Sequence, residues 1–348
     1  MVDNQIFTKQ RLINLSIIVV AIWFTWFAQN HFDDYTVRII NNVAIFIILA
    51  VSYNLINGVT GQFSLEPNGF VAVGAYVTAI LTLDAEGIIY QYDLEDPAQW
   101  ILVLQADFFW ALLFSGIISS LLALSLAFPV FRVRGDYLAI VTLGFGFIIR
   151  IIAINAPAVT NGSLGINDIP EYSNLYWTVG AAIIAVTVIL NIIYSKYGRA
   201  MKAVRDDEDA AIAMGINTFK IKTLAFATSA FFEGVGGGLL AALLTSISPD
   251  LFTFLLTFQL LIIIVLGGLG STTGAIIGTV LVMAGLEWMR FLDEPMNIMG
   301  YQTDGLPGMR MVVFSLILIV VMLFAREGLM GKKELYELKF FKKKKADK

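Results

Sequence analysis

The run Lys196-Tyr197-Gly198-Arg199-Ala200-Met201-Lys202-Ala203-Val204-Arg205-Asp206-Asp207-Glu208-Asp209-Ala210-Ala211-Ile212-Ala213-Met214-Gly215, with Lys220 and Lys222 close behind, is an island of charge in an otherwise apolar chain. Four acids follow the basic group, small apolar residues follow the acids, and a glycine closes the run. That order predicts one short helix. Its acids lie in the first turn, where the helix dipole favours negative charge, and Gly215 takes a left-handed position after the last turn. Thr218 is placed to cap the next helix. A charged helix between apolar segments has the character of a surface that meets a partner protein.

Composition explains the surroundings of the island. Of 348 residues, 58% are hydrophobic and 14% charged, and the mean hydropathy is +0.78. Such a chain is an integral membrane protein. No polar stretch is long enough for a separate water-soluble core, so residues 1–348 read as a single membrane domain with an internal charged loop at 196–222 and a basic tail at 326–348. The chain has no cysteine, which excludes a disulfide framework, thiolate chemistry and a Cys-based metal site.

A membrane span needs roughly 20 mostly apolar residues. Candidates run from about Leu12 to Ala28, Val37 to Ile56, Phe63 to Leu83, Phe108 to Phe128 and Tyr137 to Asn155. Five more run from about Tyr176 to Tyr194, Thr223 to Leu244, Phe254 to Leu269, Ala275 to Met289 and Met311 to Ala325. The expected fold is therefore all-α, a polytopic helical bundle of about ten transmembrane spans with broken helices. Glycine density marks the third and ninth spans as broken or tilted. The first segment has basic flanks but no small-residue cleavage pattern, and it reads as a retained span.

Orientation follows from Lys and Arg, which are held on the cytoplasmic side. With the N-terminus inside, Lys9, Arg11, Arg132, Arg134, the six basic residues of the island and the tail place 19 of the 23 basic residues on that side. Asp84 to Asp107 carries six acids and no Lys or Arg, as an external loop would. An even number of spans returns the C-terminus inside as well. The Lys342 to Lys345 run reads as a stop-transfer or lipid-contacting tail, and nucleic acid is not an expected partner.

Several motifs carry a chemical implication. Gly267 to Gly274 has the glycine content of a phosphate cradle but lacks its lysine and joins two spans, so it reads as a tight turn with close helix packing. Asn57 to Gly69 reads as a broken helix entering the membrane, with Pro67 removing a backbone donor. Broken backbone at membrane depth lines a cavity or is covered by protein. The second break, expected over Gly267 to Gly278, gives the two halves paired interruptions, the pattern of a translocation route. Ionisable residues within spans default to functional roles; here they are Glu66, Arg150, Glu233 and, near an outer end, Glu287. Arg150 is expected to pair with Glu66 or Glu233. Gln62, Ser64, Glu66, Pro67, Asn68, Arg150 and Glu233 are the residues expected along the route. His31, the one histidine, reads as a solvated loop residue. No nucleophile–base set, paired-carboxylate site or metal cluster stands out, so the chain does not read as an enzyme.

Gly198 to Ala211, ending at Met214-Gly215-Ile216-Asn217, resembles the cytoplasmic EAA-type loop of bacterial ABC importer permeases, specifically the LivM-like branched-chain amino acid group. Asp209-Ala210-Ala211, three residues, then Gly215 matches that motif with Asp in place of Glu. Gly61-Gln62-Phe63-Ser64-Leu65, Gly74-Ala75-Tyr76, Ala139 to Leu143, Asn161-Gly162-Ser163 and Val265 to Ser271 are similar to the same group, in consistent order over about residues 37 to 325. The chain departs from it at Glu66-Pro67-Asn68-Gly69, at Phe147 and at Glu233.

The resemblance implies the ABC importer permease fold and a role as one of two membrane subunits. The implied partners are a sister permease, two cytoplasmic ATP-binding subunits and an extracytoplasmic solute-binding protein, with ATP and Mg on the ATP-binding subunits and no cofactor on this chain. Arg205, Asp209, Ala210, Ala211 and Gly215 would then couple the chain to the ATPases. The expected function is ATP-driven import of leucine, isoleucine and valine across the inner membrane. Urea, short amides, other amino acids or nucleosides are the alternatives within the class. An ion-coupled secondary transporter using Glu66, Glu233 and Arg150, or a membrane scaffold that transports nothing, are the alternatives outside it.

Overall fold

The computed structural model describes residues 20–92, 94–131, 137–293, 296–298, 301–303, 308–325, 327–331 and 334. Lys9, Arg11, the start of the first expected span, Arg132, Arg134 and the Lys342 to Lys345 run lie outside the described residues.

Each expected span carries a helix. The first is α1, helical over 20–31. There follow α2 (Asp34–Asn54), which runs on as a π-helical turn over Leu55–Val59, α3 (Pro67–Thr82), α4 (Ala85–Gln91), α5 (Gln99–Val103), α6 (Phe108–Val130), α7 (Tyr137–Asn155), α8 (Pro157–Thr160) and α9 (Leu175–Tyr194). The charged island supplies α10 (Lys196–Asp206) and α11 (Glu208–Ala213), and the chain continues through α12 (Thr218–Leu244), α13 (Phe254–Gly267), α14 (Thr272–Trp288) and α15 (Met309–Phe324). A short antiparallel hairpin, β1 (Met296–Ile298) with β2 (Tyr301–Thr303), lies between α14 and α15.

Among the described residues, six helices are long and apolar enough to cross a membrane, seven if α3 and α4, bent by 118° at their junction, count as one span. The remaining three of the expected ten are α1, described from residue 20, and the shorter apolar helices α13 and α15. Helix α13 has 14 residues, about 21 Å at 1.5 Å per residue, against a hydrocarbon core of about 30 Å. The third span was expected to be broken, and α3 indeed begins only at Pro67, after a non-helical stretch from Gly61. The ninth span is different. Glycines 274 and 278 lie inside a continuous α14, and the break is confined to residues 268–271 before it.

Helices α2 and α12 form the centre. In each, 72% of the most apolar window is buried, against 28% for α9 and 22% for α14. Helix α12 packs on α3, α6 and α2, and small residues make this possible. A Cβ at Gly74 would lie 2.0 Å from Gly234 O, and one at Gly237 would lie 2.1 Å from Val71 O. Backbone-to-backbone approach of this kind is how membrane helices gain dispersion contact without a hydrophobic driving force between them. Around it sit fully buried Tyr53, Phe70, Phe226, Leu49 and Leu239.

The contact predicts a contrast between two chemically identical substitutions. Gly237→Ala forces α3 and α12 apart and should destabilise by about 1–3 kcal/mol. Gly180→Ala, on α9 with nothing within 4 Å of the added methyl, should be neutral or mildly stabilising. Equal thermal midpoints for the two detergent-purified variants would contradict the close contact.

Candidate functional site: the broken span and the charged island

The non-helical stretch after α2 leaves backbone groups without helical partners, and buried side chains supply them. Tyr53 Oη donates to Ser64 O at 2.7 Å, Asn57 Nδ2 donates to the same carbonyl at 3.3 Å, and Ser64 N donates to Asn57 Oδ1 at 3.0 Å. Leu65 N donates to Thr142 Oγ1 on α7 at 2.9 Å. At the start of α3, Asn68 N donates to Thr257 Oγ1 at 3.2 Å, Thr257 Oγ1 donates to Asn68 Oδ1 at 3.1 Å, and Asn68 Nδ2 donates to Phe252 O at 3.1 Å. The break is thus covered by protein, with α2, α7 and α13 each contributing a polar group.

Of the route residues, Ser64, Glu66, Pro67 and Asn68 come together here and are buried, while Gln62 is half-buried beside them. Glu66 precedes Pro67 at the start of α3, and neither of its oxygens has a hydrogen-bond partner among the described residues. Glu233, on α12, is also fully buried, and α12 packs against α3, at whose start Glu66 lies. Glu233 Oε1 lies 2.8 Å from Ser229 Oγ, which donates to Ser52 O at 2.7 Å, while Oε2 has no partner among the described residues.

Arg150 is elsewhere. It pairs with Asp250 Oδ1 at 2.5 Å, where Asp250 lies in a short 3₁₀ turn over Pro249–Phe252. The expected pairing with Glu66 or Glu233 is therefore wrong. Arg150 lies about one and a half turns from the end of α7, so its guanidinium reaches the loop ahead of α13, not the bundle centre. Asp250 was passed over because it sits outside the spans.

The island is two helices, not the single one expected. Asp207 interrupts it in an extended conformation (φ −160°, ψ 110°), and its side chain accepts from Ala210 N at 2.9 Å. An Asp that caps in this way outcompetes continuation of the preceding helix. Only Glu208 and Asp209 then remain in the first turn of α11. Asn217, not Thr218, caps α12 by accepting from Lys220 N at 3.0 Å. Gly215 does occupy the left-handed region, at φ +81°. Ala211 is buried, whereas Asp209, Ala210, Ile212, Ala213 and Met214 are exposed, so α11 presents an acidic and apolar outer face.

Arg205, at the end of α10, connects the island to both breaks. Its Nε and Nη2 each donate to Asp206 Oδ1 at 3.0 Å, and its Nη1 reaches Gly58 O at 3.4 Å. A Cβ at Gly61, itself at φ +70°, would lie 2.4 Å from Arg205 Cγ, and one at Gly270 would lie 3.3 Å from Arg205 Nη1. The second break is tied to the first as well, since Gly270 N donates to Asn54 Oδ1 at 2.9 Å. Below it, Glu334 returns from the tail to cap α14. Its carboxylate accepts from Thr272 N at 2.7 Å and Thr273 N at 3.0 Å, satisfying amide groups that a helix start leaves unpaired.

The model of the family described as the branched-chain amino acid transport system permease component matches residues 35–322. The chain belongs to this family. Among curated permeases, it is 32% identical to the high-affinity branched-chain amino acid transport system permease protein LivM of Salmonella typhimurium, over 82% of this chain and 70% of that protein. The match to LivM of Escherichia coli has the same identity and coverage. LivH of Escherichia coli is 25% identical, over 89% of this chain and 97% of LivH. No solved structure matches the chain. As a permease of this family it is a multi-pass membrane protein and a transport subunit.

Two pairs fasten the island and the outer loop unequally. Lys222 and Glu208 meet at 2.7 Å, with the lysine only 6% exposed, so the pair clamps α11 to α12. The Arg150–Asp250 pair has a 79% exposed carboxylate, and screening reduces it to about 0–1 kcal/mol. Lys222→Met should therefore cost about 1–3 kcal/mol, below the full value of a deeply buried pair, and should speed proteolysis within 206–216. Asp250→Asn should leave both the thermal midpoint and the cleavage rate unchanged. The reverse ranking would contradict this geometry.

Proposed function

We propose that the chain is the LivM-like membrane subunit of an ATP-binding cassette importer that carries leucine, isoleucine and valine across the bacterial inner membrane. A sister permease completes the pathway, two cytoplasmic subunits bind ATP with Mg2+, and an extracytoplasmic binding protein delivers solute. This chain holds no cofactor of its own. Both termini and the island lie in the cytoplasm, consistent with the distribution of basic residues. Names carried by the LivM and LivH relatives support the substrate.

The observation that carries the reading is the seat of Arg205 against Gly58, Gly61 and Gly270. In this reading α11 docks on an ATPase surface through Asp209, Ala210 and the exposed apolar residues that follow, while buried Ala211 seats the helix against the bundle. Motion of that surface moves α10 and α11, which α10 and Arg205 pass to the two interrupted spans. Interrupted backbone can rotate at glycine where an intact helix would have to bend. Solute crosses near Gln62, Ser64, Glu66, Pro67 and Asn68, with Glu233 behind them, and Arg150 stands at the outer side of that route. Gly215 sets the angle between α11 and α12.

The test is uptake of labelled leucine by proteoliposomes holding the assembled importer, with isoleucine, valine, urea and a nucleoside as competitors. Uptake that requires ATP and is blocked by isoleucine and valine is expected; transport without ATP or insensitive to them overturns the reading. Arg205→Ala should keep ATP hydrolysis within about twofold and lower uptake about tenfold or more, a loss within the usual range of coupling free energies. Gly215→Val should uncouple in the same direction through backbone strain at positive φ, since open space surrounds the glycine.

A further inference from the structure

Four of the 23 basic residues lie off the presumed cytoplasmic face: Arg38, Arg150, Arg290 and Arg310. Arg150 is accounted for by Asp250. The other three line one cavity of about 590 Å³, enclosed by α2, the end of α12, α13, α14 and the start of α15. It opens at the end of the bundle opposite the island, since α12 leaves the island at Thr218 and contributes Leu243 and Leu244 to the cavity wall.

Two of these arginines are already engaged by acids. Arg290 Nη1 lies 3.3 Å from Glu287 Oε1 and donates to Tyr35 Oη at 2.9 Å, and Tyr35 Oη donates to Glu287. Arg310 Nε lies 3.0 Å from Asp293 Oδ2. Arg38 is different. It is exposed to the cavity and has no hydrogen bond or ion pair among the described residues. One turn deeper on the same helix, half-buried Asn42 also has no hydrogen-bond partner among the described residues. Opposite, Gln259 uses its amide nitrogen on Met283 Sδ at 3.3 Å, leaving its carbonyl oxygen to the cavity. Val43, Leu244 and Leu286 supply apolar wall between these groups.

The cavity therefore offers a free guanidinium, an amide carbonyl and the Glu287 carboxylate, whose Oε1 is already held by Arg290 and Tyr35, around an apolar wall. A carboxylate, an ammonium and a branched hydrocarbon side chain would find matching partners there. We propose that this cavity is an outward-facing capture site for apolar α-amino acids, with Arg38 holding the solute carboxylate, Glu287 and the Gln259 carbonyl facing its ammonium, and Val43, Leu244 and Leu286 receiving its side chain. The proposal rests on the importer reading above and names the first place on this chain where the solute is held. An anionic phospholipid headgroup carries the same anionic chemistry, so the test separates the two sources.

Because the chain has no cysteine, Asn42→Cys gives a single reactive thiol on a clean background. In vesicles of phosphatidylcholine alone, a charged methanethiosulfonate reagent added outside should modify it, and leucine should slow the reaction. Leucinamide, which lacks the carboxylate, should not. Arg38→Gln placed in the same variant should abolish protection, and Arg38→Lys should restore part of it. In the assembled importer, Arg38→Gln should raise the leucine concentration for half-maximal uptake about tenfold or more, as loss of one charge-assisted hydrogen bond implies, with maximal uptake retained. No protection by leucine in the neutral vesicles, or protection that only anionic phospholipid confers, overturns the site. If wild-type importer takes up leucine while Arg38→Gln leaves half-saturation unchanged, the site alone fails; if the wild type takes up none, the importer reading fails with it.

Discussion

Peptide groups that lack helical partners must be satisfied by protein when they lie at membrane depth, because hydrocarbon offers nothing in exchange. The stretch between Gly61 and Pro67 imposes that constraint on the rest of the bundle. Tyr53, Asn57, Thr142 and Thr257 each spend a polar side chain on it or on the adjoining start of α3. Those groups arrive on α2, α7 and α13, so three helices must converge on one short piece of backbone. Close approach of α3 to α12 through Gly74 and Gly234 then follows as the way to seal the remaining side. Lost hydrogen bonds in the span are thereby replaced by bonds to side chains on separate helices.

The island exploits the same place. A continuous helix at 196–213 would have presented Asp207 on its surface, but the cap turns the chain and leaves Arg205 at the terminus of α10, over Gly61. A side chain at position 61 would exclude the arginine stem, and one at 58 would collide with Asn54 Oδ1 and Gly270 N. Three backbone segments far apart in sequence are thus held together through glycine positions, one asparagine and one arginine. The tail contributes from below, with Leu329 N and Met330 N donating to Leu266 O and Gly267 O. The turn before α14 is therefore fixed on both sides.

Hydropathy made the spans legible, since a run of apolar residues has few other uses, and ends such as Tyr137 to Asn155 were read to the residue. What hydropathy cannot read is where a helix is absent inside an apolar run. Glycines at 274 and 278 looked like a break but serve close packing within α14, whereas 268–271, two of them glycine at positive φ, is the true interruption. Glu66 and Glu233 were picked out because a carboxylate in a span is costly wherever it points. The packing of α3 on α12 spans the 167 positions between them and has no local signature. Arg150 was misassigned for the same reason: its partner lies in a loop 100 residues away. Glu334, an acid of the tail, is hidden in the sequence by the basic residues around it.

Helix α2 unites what the sequence separates. Near its first turn it carries Arg38 and Asn42 on the wall of the outer cavity, and at its last turn it carries Asn54, which binds Gly270 N, with Asn57 and Gly58 just beyond. Its 21 residues span about 31 Å, and most of its apolar length is buried, so it is a strut that cannot bend without disturbing the core. Under the proposed coupling, a displacement imposed at Gly58 through Arg205 has two outlets: the π-helical turn over Leu55–Val59, whose wider ring already departs from regular helix, and rigid tilting of α2 itself. Tilting would alter the distance between Arg38 and the α14 side of the cavity, whereas unwinding the π turn would leave that distance alone. Which of these motions dominates depends on how tightly the turn is held. Thr60 N and Thr60 Oγ1 both donate to Leu55 O, closing it twice over and favouring the rigid tilt.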